Sequence, residues 1–102
     1  MMKIVWTDFA KRELKDIYDY YKFKASKRVA NRIVKDIRKS VQILKSHQAV
    51  GQVEEYLEAL NLDHRYIIEG NFKVIYRIEN NQIYITDVFD TRQNPDSMIE
   101  RN

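Results

Sequence analysis

Two runs rich in β-branched and aromatic residues, Phe72 to Glu79 and Gln82 to Asp90, are separated by only Asn80 and Asn81. Few short stretches restrict a chain more. Asn tolerates positive φ better than other non-glycine residues, so Asn80-Asn81 predicts a two-residue type I′ turn pairing Glu79 with Gln82. Side chains alternate along a strand, so that pairing also assigns faces. Phe72, Val74, Tyr76 and Ile78 fall with Ile83, Ile85 and Phe89 on a core face. Lys73, Ile75 and Arg77 fall with Tyr84, Thr86, Val88 and Arg92 on a second face, expected to be open. Asp87 then lands awkwardly on the core face, which requires a hydrogen-bonding partner or a place near the sheet's end.

A third run, Leu62 to Glu69, precedes the pair. If Glu69, Gly70 and Asn71 form a three-residue loop, Arg65 and Ile67 join the second face; a two-residue loop would turn them inward. Three is preferred, because burying an unpaired guanidinium costs several kcal/mol.

Upstream, the period changes from two to 3.6. Lys3 to Trp6 reads as a short strand, and Thr7 is a helix N-cap followed by Asp8, whose negative charge suits the helix dipole. Ala10, Leu14, Ile17 and Tyr21 then recur at helical spacing to about Lys24, with Phe9 and Tyr18 widening the stripe. Ser26 is the next N-cap, and Val29, Ile33, Ile37, Val41 and Leu44 hold one face for about five turns. A link of a residue or two around Ala25 forces the helices into an antiparallel hairpin over residues 7 to 46. They are too short for a dimerising coiled coil. After a loop at Ser46 to Gln52, Val53 to Leu60 is locally helical in preference, and residues 93 to 102 follow the strands as a tail. The expectation is α+β: a short N-terminal strand, a two-helix antiparallel hairpin, and a three-stranded antiparallel sheet packed on the helices. At 102 residues the chain is long enough for one core, hence a single domain over 1 to 102.

No cysteine is present, which excludes a disulfide scaffold, a thiolate zinc site and a cysteine nucleophile. The start MMKIVW runs into polar sequence without a signal-peptide core, and no 18-residue apolar span follows, so the expected location is the cytoplasm, away from membranes. The charge is uneven. Between Ser26 and Ser46 seven basic residues face the single acid Asp36, a local balance of +6 in a chain of net +3. Such a segment orients in the field of a nucleic acid or an acidic protein, or is simply a solvated helix face. The second sheet face adds Arg65, Lys73, Arg77 and Arg92 with Tyr84 interleaved, a pattern suited to phosphates and bases. Exposed strands also use such cations merely to block edge pairing. His47 and His64 are far apart and lack metal-ligand spacing; a lone histidine is more often structural than catalytic.

The opening IVWTDFAKRELKDIYDYY, the hairpin NFKVIYRI and the ending ITDVFDTRQNP, in this order and spacing, resemble the RelE/ParE superfamily of bacterial type II toxins. The resemblance spans nearly the whole chain and implies a compact toxin neutralised by an antitoxin encoded beside it, with no cofactor or metal and no sequence-specific DNA binding by the toxin alone. RelE-like members cut mRNA on the ribosome, and ParE-like members poison DNA gyrase. Metal-free RNA cleavage needs a base for the 2′-OH, cations for the phosphorane and an acid for the leaving oxygen. By resemblance Lys73 matches a third-strand arginine, Arg92 a fourth-strand one, and Arg65 a second-strand lysine if one gap is allowed. A second lysine position falls at Ile67, and a tyrosine position falls near Met98. Two proton-handling groups are therefore missing, and arginine at Arg65 is a poor base because it stays protonated. The ParE-like reading, with gyrase as target, is favoured. A ribosome-dependent nuclease using Arg65, Lys73 and Arg92 is the alternative, and an inactive antitoxin-binding module the third.

Overall fold

The computed structural model describes residues 2–102. Strand β1 (Lys3–Trp6) leads into helix α1 (Asp8–Lys24), then α2 (Lys27–Ser40) with a 3-10 extension over Val41–Lys45. After β2 (Gln52–Val53) and a 3-10 turn (Glu55–Leu60) come β3 (Arg65–Glu69), β4 (Phe72–Glu79) and β5 (Gln82–Asp90). A 3-10 turn (Pro95–Ser97) and the short helix α3 (Met98–Arg101) follow. The caps form where expected. Thr7 Oγ1 accepts from the Ala10 amide at 3.2 Å while donating to the Ile85 carbonyl at 3.0 Å, and Ser26 Oγ accepts from Val29 at 3.1 Å. With Ala25 and Ser26 alone between them, the helices fold back as a hairpin. Neither is long and apolar enough to cross a membrane.

Among the described residues the sheet has five strands, in the order β1-β5-β4-β3-β2. The expected three-stranded antiparallel meander is its centre. β1 joins the same sheet, parallel to β5, and β2 extends the far edge. Asn80 and Asn81 both take positive φ, 51° and 60°, as a type I′ turn demands, and Glu79 pairs with Gln82.

Two register details overturn the expected faces. Glu69 pairs with Phe72, so the β3–β4 loop is the two-residue Gly70-Asn71, with Gly70 at φ 59°. Arg65 and Ile67 therefore sit on the helix side with Val74 and Tyr76. The objection to burying Arg65 fails because it is only half-buried and is partnered: Nη1 donates to the Gly51 carbonyl at 3.1 Å, and Nε lies 3.9 Å from Asp63. The second detail is a bulge. Ile75 pairs with Asp87 and Tyr76 with Ile85, so Thr86 is an extra residue in β5, and the alternation inverts beyond it. Val88 turns toward the helices, whereas Asp87 and Phe89 turn to the second face.

Both faces are consequently covered. Ala10, Leu14, Ile37, Val41 and Leu44 of the helical layer pack on Phe72, Val74, Tyr76, Ile83, Ile85 and Val88. Opposite them, Leu57 of the 3-10 turn and Met98 of α3 close over Ile75 and Phe89. The second face is thus not the open surface expected from alternation alone. Tyr76 ties the β2 end to the core: its hydroxyl donates to the Gln48 carbonyl at 2.7 Å and accepts from the Gly51 amide at 3.0 Å. A side chain on Gly51 would put Cβ 2.5 Å from that hydroxyl.

Candidate functional site

At the far end of β5 the helix hairpin and the sheet leave a groove of about 330 Å³. Its floor is Ile17, Tyr20, Tyr21, Phe72 and Val88, and its rim holds Asp90 and Arg92. Past Tyr21 and Phe72 it continues into a second hollow of about 270 Å³ bordered by Arg32, Ile33 and Gly70. Tyr20 and the adjoining Phe23 are exposed, Phe23 at 85%. Arg92 is held on the rim by a fork to Asp90, with Nε to Oδ1 at 2.9 Å and Nη2 to Oδ2 at 2.6 Å. Nη2 also reaches the Tyr21 hydroxyl at 3.3 Å. These bonds to Arg92 hold the Asp90 carboxyl below its ordinary range, and Asp90 raises Arg92 in return. The guanidinium stays charged and oriented over an apolar floor.

The second face is organised differently. Lys73 Nζ lies 2.8 Å from Glu54 Oε2 and 4.3 Å from the centre of the Tyr66 ring. Glu54 is buried, and its other oxygen caps the Tyr56 amide. Arg77 stacks over Tyr84 at 5.6 Å and pairs with Glu79. His64 is buried, its Nδ1 lacking a partner among the described residues, and burial, then the nearby Arg77 charge, push its pKa down. Asp87 is fully buried under the C-terminus, where Arg101 Nη2 reaches Oδ1 at 2.8 Å and Asn102 Nδ2 reaches Oδ2 at 3.0 Å. Arg101 also bonds Glu13 of α1 at 2.6 Å, and its guanidinium lies between the Phe9 and Phe89 rings. Burial outweighs the Arg101 charge, and the Asp87 pKa rises to about 6.

The five residues singled out from sequence do not form one cluster. Lys73, Arg77 and Tyr84 share the second face. Arg65 points to the helix side beside β2, and Arg92 stands on the groove rim at the opposite end of the sheet. Met98, near which the resemblance puts a tyrosine, is buried in the small core. Each of the four cations has a carboxylate beside it: Lys73 pairs with Glu54, Arg77 with Glu79 and Arg92 with Asp90, and Arg65 lies 3.9 Å from Asp63. Sequence reasoning missed Glu54, Tyr21, Asp90 and the Asp87–Arg101 latch; its single warning was an acid inside an apolar run. Among the described residues no three His, Asp or Glu come together in a way that would hold a metal ion.

Residues 4–95 match the family model described as the ParE toxin of the type II toxin-antitoxin system, parDE. Among solved structures, one titled "Chromosomal ParDE TA system from P. aeruginosa" is similar at 26% identity and a TM-score of 0.76, over 88% of this chain and 96% of that one. A comparison with curated proteins gives no match.

Proposed function

The chain belongs to the ParE toxin family of type II toxin-antitoxin systems, and from that premise we propose that it is a growth-inhibiting toxin acting in the cytoplasm by binding DNA gyrase. A cognate antitoxin neutralises it. What carries this reading against RNA cleavage is the state of the sheet cations. A phosphorane needs free cations converging on one point beside a base. Here Lys73 is held by Glu54, Arg77 by Glu79 and Arg65 by the Gly51 carbonyl, while Arg92 lies across the sheet on the helix side, beside Tyr21. A candidate base, His64, is buried, with the Arg77 charge acting on it.

The groove beside Arg92 is the proposed antitoxin site. Its apolar floor suits an amphipathic segment, and Arg92 on the rim suits an acidic residue next to that segment's apolar anchors. The Arg77–Tyr84 stack and Lys73 are the binding residues assigned to the opposite face. Supercoiling and translation assays, run side by side on purified toxin, test the target. Inhibited supercoiling with intact mRNA is expected. Codon-specific cleavage on programmed ribosomes would overturn the gyrase reading.

A further inference from the structure

We propose that the outward stripe of α2 docks the phosphate backbone of a nucleic-acid duplex without reading its sequence. At 3.6 residues per turn, Arg28, Arg32, Lys35 and Lys39 fall within about 60° of one another and span roughly 16 Å along the helix. All four are exposed, diametrically opposite the buried Ala30 and Ile37. Among the described residues none of them holds an ion pair, in contrast to every sheet cation named above. Neighbours at i,i+3 and i,i+4 carry the same sign and repel, which weakens the helix. A face built only for solubility mixes signs, as α1 does with its Lys15–Asp19 pair at 2.9 Å. On α2 the single acid, Asp36, stands off to one flank of the stripe.

The same surface selects among polyanions. A protein partner needs an apolar centre to its interface, yet no large hydrophobic side chain is exposed between Phe23 and Ile43. Single strands are held largely by stacking on aromatics, and α2 contains none. A line of cations with no exposed large apolar side chain interspersed, and only Arg32 bordering the groove's hollow, fits the regular phosphates of a duplex, where counterion release supplies the affinity. The inference stands independently of the gyrase reading.

Fluorescence anisotropy of the whole protein tests it, using a 20-bp DNA duplex, an RNA duplex of equal length, one DNA strand, and poly-glutamate between 50 and 200 mM salt. Four neutralised phosphates give a log–log salt slope of roughly −3 to −4 on DNA. The triple variant Arg28→Gln, Lys35→Gln, Lys39→Gln should lower the magnitude of that slope by about 2.7 and the affinity at 50 mM at least tenfold; Arg32 is kept because it also borders the groove. Lys11→Gln, Lys22→Gln, Lys24→Gln removes equal charge from α1 and should leave both nearly unchanged. Binding of either duplex with this dependence supports the proposal, and the tighter of the two names the source. Equal losses in both variants, or tighter binding of the single strand or of poly-glutamate, would overturn it.

Discussion

The two faces of the sheet are held by different physics. On the helix side, eleven apolar residues from four segments of chain interlock with no polar group among them except the Tyr76 hydroxyl. On the other side, four apolar residues are ringed by buried charge: Glu54 with Lys73, and Asp87 with Arg101 and Asn102. The first face depends on area removed from water and on close packing, so it is insensitive to pH and salt. The second depends on desolvated ions keeping their partners, which makes it conditional on protonation.

Substitutions can break or sharpen this contrast. Ile37→Ala, in the fully buried helix layer, should cost about 4 kcal/mol in urea unfolding, with both faces lost in one transition. Arg101→Met leaves Asp87 with Asn102 and the Val88 amide but no countercharge, and should cost about 3 kcal/mol at neutral pH. Hydrogen exchange should then show the second face opening first; simultaneous loss of the helix side would erase the distinction. Asp87→Asn isolates the titration. With a folded pKa near 6 against an ordinary 3.8, the folded state binds the extra proton between those values. Asp87 therefore favours the fold below about pH 4, and that advantage fades as pH rises through 6. Wild type minus variant should fall by about 3 kcal/mol across the window, and a flat difference would count against Asp87 as the conditional element. Gly70→Ala should cost about 1 kcal/mol, roughly a 5 °C drop in Tm. Its cause is φ 59° alone, since nothing lies within 4 Å of the added methyl, so both faces should weaken equally.

What could be read beforehand follows the same division. The helix starts, both N-caps, the hairpin of helices and the Asn80-Asn81 turn came from local patterns, because periodicity and capping act over a few residues, whereas the apolar period ran on past Ser40, where α2 tightens into a 3-10 turn. The helix-side core followed from them, apart from Val88 and Phe89, from Ile67, which the two-residue loop brings in, and from Ile78, which lies exposed beyond the core. Val88 and Phe89 exchanged faces through Thr86, an ordinary strand residue that carries no bulge signal. The second face was illegible for a further reason. Its lid comes from Leu57 and Met98, on short 3-10 and helical turns with no period to detect, and its ion pairs join residues as distant as Glu13 and Arg101. Arg65 was misplaced by a sound cost applied to a false premise, since the cost of burial vanishes where the Gly51 carbonyl is at hand.

The pairing of β1 with β5 sets a timetable for the protein's birth. Lys3 is registered against Gln82 and Trp6 against Ile85, almost eighty positions apart. During synthesis the helix hairpin can form early from local contacts, yet β1 has no partner until the final hairpin has been made. Until then its edge and the apolar stripes of α1 and α2 stay uncovered. The nascent chain therefore closes the sheet and completes the groove only once β5 has been made, however early the helices fold.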